Sequence, residues 1–131
     1  MKKPNTVYVI DDDKIYTYLL SRQIKSVDFC DNTLIFNNGQ EAINHLSPLQ
    51  DSHDELPDVI LLDLNMPVMD GWQFLDVFDT FKLAKKIKVY IVSSSIDEAD
   101  HQKAAGYDIC NFYVKPISKE NLAEIKRDIL S

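Results

Sequence analysis

The stretch VYVIDDDK, residues 7–14, joins a run of four apolar residues to three consecutive aspartates. Short apolar runs that are rich in β-branched and aromatic residues are typical of strands that are covered on both faces. A turn or a helix cap needs one acidic residue, whereas a cation site needs two or more. Because carboxylates this close repel one another, the triplet indicates a strand that ends at a polar site.

Four further apolar runs alternate with segments of helical periodicity, which predicts an α/β fold with a doubly wound, five-stranded parallel sheet and five helices. The predicted strands are Val7–Ile10, Thr33–Phe36, Val59–Leu62, Val89–Val92 and Phe112–Val114. The predicted helices cover residues 14–27, 39–46, 70–86, 97–105 and 118–130, and the polar segment 47–58 is predicted to be a loop.

Capping residues define the expected ends of these helices. Asp13, Asp70 and Ser118 are predicted N-caps, since short polar side chains accept hydrogen bonds from the first turn. The third helix is predicted to end in lysines, where positive charge suits the helix dipole, and Gly106 is predicted to stop the fourth.

Composition limits the function classes. The 131 residues carry 45% hydrophobic and 27% charged side chains, which fits one globular domain. A net charge of −7 and a pI near 4.8 argue against direct nucleic-acid binding. No apolar run approaches the ~20 residues of a membrane span. Cys30 and Cys110 lack metal-site spacing and are predicted to be free, buried thiols, so we expect a cytoplasmic protein.

Polar residues stand at the ends of several predicted strands. The triplet at residues 11–13 follows the first, Asp63 the third, Ser93–Ser95 the fourth, and Lys115 the fifth. Each alone fits a turn or a cap. Because parallel strands of a doubly wound sheet carry their ligand sites at their carboxyl ends, we expect these side chains to meet.

Such a cluster predicts a phosphoryl-transfer site. Carboxylates that repel one another select a hard cation such as Mg²⁺, and one of them can act as nucleophile and form an acyl phosphate. A lysine ammonium and a serine hydroxyl can each hold a phosphoryl oxygen. The scattered histidines, His45, His53 and His101, are predicted to be solvated.

The segments VIDDDK, LLDLNMPVMDGW, IVSSS and YVKP together resemble the receiver domain of two-component response regulators, in order and over essentially the whole chain. The resemblance implies the flavodoxin-like, CheY-like fold with strand order 2-1-3-4-5. That order places Cys30 and Cys110 near opposite edges of the sheet, so no disulfide is expected between them.

The resemblance also implies roles for the acidic residues. Asp63 is the expected phosphoacceptor, and Asp12 and Asp63 are the expected side-chain ligands of Mg²⁺. Asp11 is expected to hold a metal-bound water. Asn65 is expected to contribute its backbone carbonyl to the metal and, with Ser95, to tune the lifetime of the acyl phosphate.

By the same resemblance, Ser93 is the switch hydroxyl and Phe112 is the aromatic residue that turns inward with it. Lys115 is expected to contact the phosphoryl group, and a cis peptide is expected before Pro116. Serine at position 93 replaces the commoner threonine, and phenylalanine at position 112 replaces the frequent tyrosine.

The implied function is a signalling switch without enzymatic activity beyond its own phosphorylation and dephosphorylation. A histidine kinase or histidine phosphotransfer protein would supply the phosphoryl group. The surface formed by the fourth helix, fifth strand and fifth helix would then bind an output protein or serve onward phosphorelay. Since the chain ends with the fifth helix, we expect residues 1–131 to be one stand-alone receiver domain with no output domain.

Two other functions remain open at this point. A Mg²⁺-dependent phosphohydrolase of the haloacid dehalogenase type would use Asp11-x-Asp13, but Ile15 stands where that motif has Thr or Val, and DLNMPVMDGW stays unexplained. A receiver-like domain that binds partners without phosphorylation is disfavoured by the complete set of polar residues.

Overall fold

The computed structural model of the chain describes residues 3–130, and across them it shows a five-stranded parallel sheet and five α-helices. The strands are β1 (Thr6–Ile10), β2 (Asn32–Phe36), β3 (Val59–Leu62), β4 (Lys88–Ser93) and β5 (Asn111–Val114). The helices are α1 (Lys14–Ser26), α2 (Gly39–Leu46), α3 (Gly71–Phe78), α4 (Glu98–Ala104) and α5 (Lys119–Leu130). The strand order is β2-β1-β3-β4-β5, so the predicted fold and order are confirmed.

The sheet is covered on both faces, which explains its continuously apolar central strands. Successive side chains of a strand point to opposite faces. Tyr8 and Ile10 of β1 therefore pack in one layer with α2 and α3. Val7 and Val9 pack in the other layer with α1 and α5. The edge strand β2 departs from this pattern, because Leu34 and Ile35 are 40% and 44% exposed.

The strand register brings the carboxyl ends together. Ile10 of β1 pairs with Leu62 of β3, and the amide of Asp63 continues the ladder by donating to the Ile10 carbonyl at 2.9 Å. On the other side, the amide of Lys115 donates to the Ser93 carbonyl at 2.8 Å. Backbone hydrogen bonds thus fix the residues that follow the strands, not only the strands themselves.

The predicted N-caps are confirmed. The Asp13 carboxylate accepts from the amide of Tyr16 at 3.0 Å, and the Ser118 hydroxyl accepts from that of Asn121 at 3.0 Å. Asp70 forms a reciprocal capping box with the residue three positions later. Each cap satisfies an amide that the helix itself leaves without a partner.

The predicted third helix is too long, because α3 ends at Phe78 and not after the lysine-rich stretch. Beyond it, the backbone oxygen of Gln50 accepts from the amide of Ala84 at 2.8 Å. Lys85 pairs with Asp58 at 3.0 Å. The Ala84 amide and the Lys85 ammonium are therefore bound to distant residues, and the amide does not join a longer α3.

Two local predictions need smaller corrections. Segment 47–58 is not wholly a loop, since Ser47–Leu49 forms a 3₁₀ turn. The fourth helix ends at Ala104, close to the predicted end, but Gly106 does not have the left-handed backbone of a glycine cap.

The cysteine and histidine predictions are partly wrong. Cys30 and Cys110 are free, as predicted, but Cys30 is half-buried and Cys110, just before β5, is exposed. His101 is half-buried, because its ring stacks on Phe112 with centroids 3.8 Å apart. His45 and His53 are exposed, as predicted.

No helix among residues 3–130 combines the length and apolar character needed to cross a bilayer.

Candidate functional site

Three carboxylates meet at the carboxyl edge of the sheet. Oxygen atoms of Asp11, Asp12 and Asp63 lie within 4.8 Å of one another. Asp11 and Asp63 directly follow β1 and β3 and are only 3% and 5% exposed, whereas Asp12 is exposed. Because hard, anionic oxygen donors are the ligands that Mg²⁺ prefers, this donor set fits the metal that the resemblance to receiver domains implies.

Lys115 is the cation that faces these acids. Its Nζ lies 2.8 Å from Oδ2 of Asp11 and 3.6 Å from Oδ2 of Asp63. Burial disfavours the ammonium, but the hydrogen bond to Asp11 and the charge of Asp63 outweigh it and raise the pKa of Lys115. The predicted cis peptide between Lys115 and Pro116 is present.

Lys115 balances the negative charge of the Asp63 carboxylate only in part. Burial, followed by the nearby charge of Asp11, raises the pKa of Asp63 from 3.8 to about 6. Lys115 and the amide of Leu64, which donates to Oδ1 at 2.9 Å, act in the opposite direction without cancelling the effect. The carboxylate therefore has more negative charge around it than one ammonium can balance, which favours an added cation.

The loop after β3 folds tightly back on Asp63. A Cβ at Gly71 would lie 2.5 Å from the Asp63 carbonyl oxygen, so only glycine fits there without a backbone shift. The Gly71 amide donates to the Leu64 carbonyl at 2.9 Å. Within this loop Val68 has a φ of 69°, a left-handed conformation that is unfavourable for a β-branched residue. The MDG part of the motif thus has a structural role.

The serines at the end of β4 form a hydrogen-bonded turn. Ser93 is fully buried, and its Oγ accepts from the amide of Ser95 at 3.2 Å. The Oγ of Ser95 donates to Asp100 of α4 at 2.6 Å. Ser93 ends β4 and its carbonyl accepts from the Lys115 amide, so it lies at the edge where the acids and Lys115 meet. The turn that holds it is tied to α4.

Phe112 is half-buried on β5 and packs beside α4. It adjoins a small core group made of Leu64, Ile91 and Ala104. On its other side it stacks on His101, with an interplanar angle of 26°. The residue that the resemblance identifies as the switch aromatic is therefore held by contacts with α4.

The structure brings together Asp11, Asp12, Asp63 and Lys115 as expected. Asn65 is exposed on the loop after β3, and its carbonyl role stays a prediction. Sequence reasoning missed Tyr16, whose ring lies 4.7 Å from the Nζ of Lys115.

Comparisons with known proteins identify the family of this chain. The family model described as "Response regulator receiver domain" matches residues 7–127. The chain belongs to the response regulator receiver family. The fold and strand order are those that the resemblance predicted, and the chain is a two-component response regulator receiver, as expected. The phosphohydrolase interpretation finds no support.

Several relatives of this receiver domain are similar over most of the chain. The probable methanogenesis regulatory protein FilR2 of Methanothrix harundinacea is 23% identical over 126 residues, covering 96% of this chain and 81% of FilR2. The cell cycle response regulator CtrA of Brucella ovis is 32% identical over 117 residues, covering 88% of this chain. The crystal structure of a two-component response regulator from Cytophaga hutchinsonii is 30% identical, with a TM-score of 0.88 and 98% of each chain covered.

The chain is shorter than several of these relatives. It spans 46% of CtrA and 15% of the sensor histidine kinase CheAY of Helicobacter pylori, to which it is 27% identical.

Proposed function

We propose that this receiver domain is a phosphoacceptor switch in which Asp63 takes a phosphoryl group from a histidine kinase or a histidine phosphotransfer protein. The observation that supports this proposal is the position of Asp63. It is buried beside Asp11 and Asp12, and its Oδ2 is 3.6 Å from the Nζ of Lys115. A nucleophilic carboxylate next to a cation and a cation-binding acid pair is what acyl phosphate formation requires.

The reaction exchanges one bond for another. An oxygen of Asp63 forms a bond to phosphorus while the P–N bond of the donor's phosphohistidine breaks, and the imidazole leaves. Asp12 and Asp63 would hold Mg²⁺ by their side chains, with Asp11 acting through water and Asn65 through its carbonyl. The metal would neutralise charge that develops on the phosphoryl oxygens.

Lys115 and Ser93 would hold the phosphoryl oxygens of the product. The position of Lys115 supports this role, since its ammonium faces both buried acids. Ser93 ends β4 at the same edge, beside Lys115, and would reach the phosphoryl group by its hydroxyl. Ser95 and Asn65 would set the lifetime of the acyl phosphate.

The output would leave through α4, β5 and α5. Phe112 packs against α4 through His101, so a movement of Ser93 that draws Phe112 inward would change the contacts of that helix. The changed surface would bind an output protein or support onward phosphotransfer.

The test is phosphorylation of the full chain by acetyl phosphate with Mg²⁺, followed by intact-mass measurement. We expect wild type to gain one phosphoryl group and Asp63→Asn to gain none. The matched control is Asp13→Asn, which removes an acid of the same triplet whose side chain caps α1 and which is expected to keep the label. Labelling of Asp63→Asn together with its loss in Asp11→Asn would instead favour a phosphohydrolase.

A further inference from the structure

Tyr16 contacts the segment that contains Lys115 at two points. Its ring lies 4.7 Å from the Nζ of Lys115, and its hydroxyl accepts a hydrogen bond from the amide of Ile117 at 3.2 Å. The first contact holds the end of the lysine side chain. The second holds the backbone two residues further along.

The position of Tyr16 is itself fixed by the acidic triplet. Its amide donates to the carboxylate of Asp13 at 3.0 Å, and the amide of Asp13 donates to Asp11 at 2.9 Å. Asp11 is also the nearest carboxylate partner of Lys115, at 2.8 Å. The ring of Tyr16 and the carboxylate of Asp11 therefore both contact the ammonium of Lys115.

Helix α1 also holds the backbone carbonyl of Ile117. The side-chain amide of Gln23 donates to the Ile117 carbonyl at 3.0 Å, while Tyr16 accepts from the Ile117 amide. Ile117 itself is 2% exposed and belongs to the core between the sheet, α1 and α5. The start of the segment that leads into α5 is thus fastened to α1.

We propose that Tyr16 is a positioning residue for Lys115 in phosphoryl binding, an inference that rests on the proposed function. A lysine ammonium sits on a flexible stem, and its value to a phosphoryl group depends on where that stem is held. The ring of Tyr16 favours the ammonium on the acid side through a cation–π contact. The hydroxyl fixes the backbone that carries the lysine.

A purely structural role would make different predictions. Tyr16 also packs against the core group that includes Leu20 and Ile24, so its removal could act through α1 alone. Three variants separate these roles. Tyr16→Phe keeps the ring and removes the hydroxyl, Tyr16→Leu keeps apolar packing and removes both, and Tyr18→Leu changes an exposed tyrosine of the same helix.

The experiment is a titration of the full chain with beryllofluoride in saturating Mg²⁺, followed by the fluorescence of Trp72, the single tryptophan. We expect Tyr16→Leu to weaken beryllofluoride binding roughly tenfold, as loss of a partly desolvated cation–π contact implies. Tyr16→Phe is expected to stay within about threefold of wild type, since the ring remains. Tyr18→Leu is expected to match wild type.

Two further readouts report on Lys115 and on the metal. The ¹³Cε resonance of Lys115 should move in Tyr16→Leu, because the ring current is lost, and should stay near its wild-type position in Tyr16→Phe. Affinity for Mg²⁺ alone should be unchanged in both variants. The ring and hydroxyl of Tyr16 contact Lys115 and Ile117, and not the carboxylates of Asp11, Asp12 and Asp63.

Wild-type beryllofluoride affinity in Tyr16→Leu would overturn the inference, and so would an equal loss of Mg²⁺ and beryllofluoride binding. If Tyr16→Leu does not give a folded amide spectrum, Tyr16→Met is used and the same comparison decides. Failure of wild type itself to bind beryllofluoride would count against the proposed function instead, so the two failures are distinguishable.

Discussion

Replacing Asp63 by asparagine is expected to make the metal-free chain more stable, although it removes the proposed phosphoacceptor. Burial and the charge of Asp11 raise the pKa of Asp63 from 3.8 to about 6. Since one pKa unit corresponds to about 1.4 kcal/mol, ionised Asp63 costs the folded state roughly 3 kcal/mol. Screening by solvent at the open edge of the sheet reduces this to about 2 kcal/mol.

The stability gained by Asp63→Asn should increase as the pH rises. A carboxyl group whose pKa is raised in the folded state binds its proton more tightly there, so its contribution to folding stability falls as pH rises. The cost of Asp63 is absent below pH 3.8 and complete above about pH 6. The advantage of Asp63→Asn should therefore be full at neutral pH and should shrink as the pH falls through that interval.

Urea unfolding in the presence of a chelator, followed by the fluorescence of Trp72, measures this difference. Asp12→Asn is the matched control, because it removes an exposed carboxylate of the same cluster and should stabilise less. Added Mg²⁺ should reduce the advantage of Asp63→Asn, since the metal stabilises the chain that binds it better. The argument of an uncompensated buried charge would be refuted if Asp63→Asn were less stable than wild type at neutral pH. It would also be refuted if the gain in free energy of unfolding were the same at all pH values.

Three other substitutions test separate features. Gly71→Ala should lower the free energy of unfolding by about 2 kcal/mol, because its Cβ would meet the Asp63 carbonyl at 2.5 Å; an unchanged urea midpoint would contradict this. Val68→Asn should raise the free energy of unfolding by about 1 kcal/mol, since asparagine tolerates a φ of 69° better than valine, and thermal unfolding would show a gain or its absence. His101→Ala should cost about 1 kcal/mol and shift the ring resonances of Phe112, because the stack at 3.8 Å is lost; an unchanged Phe112 spectrum would count against that contact.

The sequence predicts the strands and the acid cluster well, for identifiable physical reasons. Central strands such as β1 and β3 are apolar on both faces, so their runs are unmistakable and their ends mark where polar side chains begin. Asp11 and Asp63 follow those ends directly, and parallel pairing places them together. The order of the strands came from the resemblance to receiver domains and not from periodicity.

The errors arise where tertiary contacts decide local structure. Helical periodicity continues past Phe78, but hydrogen bonds to Gln50 end the helix, and no local pattern reports a partner about thirty residues away. Helical spacing with Leu20 and Ile24 predicts only a packing role for Tyr16. Its place in the first turn after the acidic triplet was the available signal that its ring could reach the same edge of the sheet.

The link between Tyr16 and Ile117 also bears on how the chain folds. These residues are 101 positions apart, so this hydrogen bond closes a loop that includes most of the protein. Closing long loops delays the contacts that depend on them. During synthesis on the ribosome, Asp11 and Asp63 emerge before Lys115, so both carboxylates lack their ammonium partner until β5 has been made. The site would thus be among the last parts of the nascent chain to reach its final arrangement.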